Sequence, residues 1–234
     1  MLPGSGALAG SSFLVLRKLE QNVRAFLTAE VELGKQLSRH PAGQTVMDPG
    51  ALFIGRERNG TPVIKDATEA ETRFDFRSDP SARRCPFHAH IRKMNPRQSR
   101  FSDPHGMSDR SNQLATQFVR RGVVYGPRGH LRARWADPAD APDGGVGLLF
   151  LAYMRSIRGQ FLQMHESWAT DDAFPTAEGG ADPLFNPATG DTAWAWPQQP
   201  RLGSIRLSRF VTGKGTSYLL VPSLRWLRDQ SAPV

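Results

Sequence analysis

The sequence predicts an α+β domain built on the split βαβ pattern, the ferredoxin-like arrangement, with long loop insertions. Three observations predict it. Patterned segments follow one another as strand, helix, strand, strand, helix, strand. The 234 residues are 39% hydrophobic, enough for one domain with a sizeable core. The stretches between the patterned segments are polar and rich in Pro and Gly, as long functional loops are.

Residues 13 to 17 (Phe-Leu-Val-Leu-Arg) read as a short strand after a Gly/Ala/Ser-rich start, so residues 1 to 11 read as a tail and 12 to 234 as the domain. Residues 19 to 38 read as an amphipathic helix, with Val23, Phe26, Leu27, Val31 and Leu37 near helical spacing. Pro41 and Gly43 close it, and a short helix follows around 49 to 53. Residues 56 to 115 show little periodicity and read as loop. Residues 117 to 125 read as a strand. The continuous apolar run from Gly147 to Tyr153 fits a buried one. Ser156 is a suitable N-cap for a helix through Trp168, with Ile157, Phe161, Met164 and Trp168 as its stripe. Residues 170 to 204 return to loop. Ile205 to Val211 and Thr216 to Val221 read as paired strands turning at Gly213-Lys214-Gly215, and a short helix follows Pro222.

The composition excludes several classes. No apolar run approaches the roughly 18 residues of a membrane-spanning helix. A single cysteine, Cys85, excludes an intrachain disulfide framework and a four-cysteine zinc site. Met1 to Gly10 lacks the basic flank and apolar stretch of a secretory signal, so the expected compartment is cytoplasmic, with export by other routes left open. The net charge of +8 comes from 25 Arg and 5 Lys against 22 acidic residues. It raises the alternative of a nucleic-acid binder. The arginines are nevertheless dispersed among acidic residues, without zinc-finger or RNA-binding motifs, so no nucleic-acid partner is expected. Guanidinium groups also suit carboxylate and phosphate ligands.

The most informative stretch is Cys85-Pro86-Phe87-His88-Ala89-His90-Ile91-Arg92-Lys93-Met94-Asn95-Pro96-Arg97. Cys85, His88 and His90 form a possible metal set; if the chain were extended, both histidines would face one side. A hydrogen-bonded structural histidine is the alternative at either position.

This stretch resembles the proximal-histidine segment of the dye-decolorising peroxidases, whose pattern is Cys-Pro-x-x-Ala-His-Ile-Arg-Lys-x-Asn-Pro-Arg. Further segments similar to that family follow in order. They are Ser12 to Leu19, Gly55 to Pro62, Arg120 to Pro127, Gly147 to Ala169, Asp182-Pro183 and Tyr218 to Ser223. The resemblance covers nearly the whole chain. It implies the C-terminal half of a two-domain, dimeric α/β-barrel architecture that holds one haem b per chain. It also implies a peroxidase that reduces hydrogen peroxide and oxidises dyes or phenols.

The resemblance implies roles residue by residue. His90 is the proximal ligand to haem iron, with Asp182 as the carboxylate behind it and Glu178 close by. Arg120 is the distal arginine, stabilising charge on the departing peroxide oxygen and open to pairing with a haem propionate. Leu148 and Phe150 line the distal pocket, and Arg92 is a further candidate for a propionate. Tyr218 and Trp226 are candidates for oxidation of bulky substrates at the surface. The family's distal acid lies in a Gly-x-x-Asp-Gly motif that this sequence lacks. That favours the alternative of a truncated haem-binding domain with little peroxidase activity, or a misplaced start. The missing half would leave an apolar sheet face exposed, so a homo-oligomer or a separate N-terminal half is the expected partner.

Overall fold

A computed structural model describes residues 6, 8–39, 48–64, 72–97, 110–127, 137–177, 179–185 and 192–230. Its centre is a four-stranded antiparallel sheet of β1 (Ser12–Gln21), β2 (Val119–Tyr125), β3 (Gly147–Met154) and β6 (Val211–Val221), in the order β2-β3-β1-β6. With those strands counted one to four, the order is that of the split βαβ fold. The predicted fold class therefore stands.

Helix α1 (Val23–Ser38) begins four residues later than its periodicity suggests. The reason is hydrogen bonding. The Gln21 and Asn22 amides donate to Val146 O (2.8 Å) and Phe210 O (2.8 Å), so strand pairing continues to that point. Asn22 then caps the helix by accepting from the Ala25 amide at 2.9 Å. Ala29 and Leu33, four residues apart, turn one face inward. Helix α2 (Ala51–Ile54) is nearly where expected.

The long stretch from 56 to 115 is not wholly irregular. It contains α3 (His90–Met94) and α4 (Arg110–Thr116). Both are too short to impose a readable period. The helix predicted after Ser156 is present as two π-helical segments, Ile157–Leu162 and His165–Ala169. Ser156 caps it by accepting from the Gly159 amide at 3.0 Å.

The predicted hairpin around Gly213-Lys214-Gly215 is incorrect. Strand β6 runs unbroken through those residues and pairs with β1, Lys18 opposite Gly215 and Leu19 opposite Gly213. Lys214 is the extra residue of a β-bulge, and its Nζ meets Glu20 Oε1 at 2.6 Å. The segment before it, β5 (Ser204–Leu207), pairs instead with β4 (Thr192–Ala195), a strand inside the predicted 170-to-204 loop. Helix α5 (Leu224–Gln230) follows Pro222 as expected.

Two main clusters form the interior. The larger joins α1 and α2 to the β4–β5 hairpin through Leu33, Phe53, Trp194, Trp196 and Phe210. Phe53 and Trp194 meet edge to face at 5.1 Å. The second lies between one sheet face and the π-helical segments, around Val15, Ala152, Met154 and Phe161. The other sheet face carries Leu14, Leu16, Leu149, Leu151 and Tyr153, none of which belongs to a core cluster of the described residues. Val123 and Leu219, on that same face, are 48% and 44% exposed.

Candidate active site: a basic cavity behind the sheet

Where the core clusters meet, a cavity of about 550 Å³ opens between the inner sheet face and α3 with the π-helical segments. Small-molecule and cofactor pockets fall in the range of about 300–1,000 Å³. His90 begins α3 and lines this cavity. The helix is set in place from below by Gly55, at the end of α2. Its φ of +94° suits glycine, and a Cβ there would fall 2.5 Å from Ile91 Cγ1. Helix α3 therefore packs closer to α2 than any side chain at 55 would allow.

His90 Nδ1 donates to Asp182 Oδ2 at 2.7 Å, and Asp182 is fully buried. Its other oxygen accepts the Leu184 amide at 2.8 Å, which fixes the carboxylate's orientation. With Nδ1 carrying the proton, Nε2 keeps its lone pair for a ligand. The ring stacks on Phe185 at 5.6 Å with a 13° interplanar angle. A histidine oriented by a buried carboxylate is the usual arrangement behind a metal-binding imidazole.

The sheet forms the facing wall. Arg120 on β2 and Leu148 and Phe150 on β3 all line the cavity. Gly122 shares their face, and its missing side chain leaves room for Leu148, whose Cδ1 would lie 3.0 Å from a Cβ at 122. Among the described lining residues none is Asp or Glu.

Three arginines to which the resemblance assigned no role also line the cavity: Arg17, Arg56 and Arg97. Burial, then the neighbouring Arg120, lowers the Arg56 pKa. Burial, then Arg56 and Arg120, lowers that of Arg97. The buried Nε atoms of Arg17 and Arg97 have no hydrogen-bond partner among the described residues. A set of guanidiniums facing an apolar cavity without lining carboxylates suits a flat ligand with anionic substituents. Each arginine lies inside a segment that resembles the peroxidase family, and that is the signal that would have found them.

Other expectations are corrected. Arg92 does not reach the cavity. It is fully buried, donates to Asp79 Oδ2 (2.9 Å) and Cys85 O (2.7 Å), and lies over the Phe76 and Phe87 rings. Its guanidinium ties down the loop before α3, so it is structural. His88 and His90 do not act from one side, because the backbone turns into α3 between them. Buried His88 donates from Nδ1 to Gly179 O at 3.0 Å, and burial pushes its pKa down to about 4. Cys85 is buried and its thiol is pushed up to about 12, also by burial first. Glu178 lies outside the described residues. Tyr218 is 51% exposed and contacts Phe161 edge to face at 6.3 Å. Trp226 is partly buried on α5.

The chain is similar in sequence and in fold to known proteins. The chain is 36% identical over 232 residues to a multifunctional dye peroxidase of Amycolatopsis, covering 93% of this chain and 48% of that protein. It is 29% identical over 240 residues to a dye-decolorizing peroxidase of Mycetinis scorodonius, covering 93% and 45% respectively. A solved DyP-type peroxidase from Anabaena superposes with a TM-score of 0.74 at 33% identity, over 93% of this chain and 46% of that one. The Amycolatopsis enzyme DyP2 superposes with a TM-score of 0.76 at 32% identity, over 94% and 49%. No family model matches the chain. In sequence and in fold the chain is similar to dye-decolorising peroxidases, and it spans about half the length of the curated relatives it matches.

Proposed function

We propose that residues 12 to 234 form the haem-binding half of a peroxidase that reduces hydrogen peroxide at the expense of dyes or phenols. The observation that carries this reading is the His90–Asp182 pair at 2.7 Å on the wall of a cavity that also holds Arg120. The donor set fits a haem b. A neutral imidazole suits ferric iron, the apolar walls suit a flat macrocycle, and the unpartnered Nε atoms of Arg17 and Arg97 suit propionates.

A haem held here by His90 would supply a redox-active iron able to react with peroxide. The chain's residues do the rest. His90 ligates through Nε2 while Asp182 holds the Nδ1 proton, making the imidazole a stronger donor. Arg120 presents a fixed positive charge toward the negative charge that develops as the O–O bond breaks. Leu148 and Phe150 keep that region poor in water. Hydrogen peroxide takes two electrons and two protons to give two waters, so two one-electron reductants are consumed per turnover. Tyr218, exposed and in contact with Phe161 on the cavity wall, is a route for reductants too large to enter.

A second reading, a haem-binding module with little turnover, is favoured by the lack of a lining carboxylate among the described residues. General acid–base assistance contributes about 10²–10⁴-fold, so its loss would be felt. The open apolar sheet face supports a partner in either case: a second four-stranded half, from another chain or another copy of this one.

The test is hemin titration of the full chain, then hydrogen peroxide with a dye, for wild type and Arg120→Leu. We expect dye oxidation by the loaded wild type. The variant should keep its hemin affinity and react with peroxide at least about 10²-fold more slowly. Equal rates would mean that Arg120 does not stabilise charge at the breaking O–O bond. Hemin binding without dye oxidation in wild type would select the second reading.

A further inference from the structure

The motif residue left without a task is Lys93, three positions after His90 and on the same side of the single-turn helix α3. It is fully buried, yet it has no carboxylate salt-bridge partner among the described residues. Its Nζ donates instead to three backbone carbonyls: Asp171 O and Phe174 O at 2.6 Å, and Gly180 O at 2.5 Å. An ammonium has three protons, and all three are used.

The three acceptors belong to one excursion of the chain, which leaves the second π-helical segment and returns at Asp182. Its ends are drawn together by two backbone bonds, Gly180 N to Asp172 O (2.7 Å) and Asp182 N to Ala169 O (2.9 Å). The excursion contains Gly179 and Gly180, and Gly180 has a φ of +79°. Glycine adds backbone freedom to the excursion at that point. His88 holds the neighbouring carbonyl, Gly179 O, from the other end of the same motif. The segment that carries His90 thus grips the backbone on the N-terminal side of Asp182.

We propose that Lys93 is a positioning residue for the His90–Asp182 pair: its three-carbonyl clamp fixes the 171–182 excursion so that the Asp182 carboxylate meets His90 Nδ1. The consequence for a proximal ligand rests on the function proposed above. The positioning itself does not, and it is measurable without hemin.

The experiment uses the full, hemin-free chain, uniformly labelled with ¹⁵N, and follows solvent exchange of the His90 Nδ1 proton and of the backbone amides by NMR. That resonance is assigned by its absence in His90→Gln and its loss in Asp182→Asn. In wild type it is expected to be protected. In Lys93→Met it is expected to exchange at least tenfold faster while the β1 and β3 amides keep their protection. An unchanged exchange rate in a folded Lys93→Met protein overturns the proposal. Should that variant fail to fold, wild type alone decides. The His90 ring proton and the Gly180 and Asp182 amides are expected to exchange through one common opening. A ring proton that outlasts those amides tenfold contradicts the clamp. Because no hemin is present, a chain that binds no haem leaves this test intact, and a failed clamp leaves the haem reading intact.

Discussion

Lys93 shows at the level of one side chain how burial and function are balanced. Desolvation pushes its pKa from the usual 10.5 down to about 8, against the raising pull of Asp182, Asp171 and Asp172. Between those two values the unfolded chain holds the lysine proton and the folded chain does not. Stability therefore rises with pH across that window, because the unfolded state binds more protons. The gap corresponds to on the order of 3 kcal/mol. The stability difference between wild type and Lys93→Met, measured by urea unfolding from pH 7 to 11, is expected to grow in favour of wild type above pH 8. A difference independent of pH would mean that the ammonium is not held in a desolvated site. Arg92 makes the complementary point. It lies two positions from His90, but sequence adjacency does not set direction on a helix. One residue on from Ile91 the side chain enters the interior beside Asp79, while Lys93 turns toward the excursion that ends at Asp182.

Among the elements, those with a clear period or a capping residue were legible. Strands β1, β2 and β3 and the helix after Ser156 fall close to where alternation and caps put them. The misreadings have physical causes. Gly213-Lys214-Gly215 has the composition of a turn, but glycine also serves a bulge. Only the partner strand β1, nearly two hundred residues away, decides between the two. Strand β4 is four residues long, and its pairing with β5 is invisible locally. Helix α3, with five residues, carries the central histidine on a turn too short for periodicity to show. The site itself was legible in part. Of the residues that the resemblance singled out, His90, Arg120, Leu148 and Phe150 line one cavity and Asp182 bonds to His90. The guanidiniums of Arg17, Arg56 and Arg97 were not anticipated, because convergence on a cavity depends on how β1 and the loops before and after α3 are packed.

For the molecule as a whole, the dominant feature is a sheet with one face packed and one face open. The inner face buries Val15, Ala152 and Met154 against the π-helical segments and forms the cavity wall. The outer face presents Leu14, Leu16, Leu149 and Leu151 with no described element over them, and the flanking Val119 is 73% exposed. An apolar surface of that kind on a sheet is the usual sign of a packing partner. Sedimentation of the full chain at micromolar concentration is expected to show self-association, and Leu149→Lys with Leu151→Glu is expected to return a folded monomer. A wild-type chain that stays monomeric at about 100 µM, well above the Kd of a stable dimer, would point to a different chain as the occupant. Among the described residues no helix is long and apolar enough to cross a membrane.

The central claim is that this fold places His90 to ligate haem iron with Asp182 behind it. Hemin titration of wild type and His90→Ala, followed at the Soret band, tests it most directly. Wild type is expected to give a saturable ferric spectrum at one hemin per chain, and His90→Ala is expected to lose that spectrum. An unchanged spectrum in His90→Ala would place the ligand elsewhere and contradict the claim.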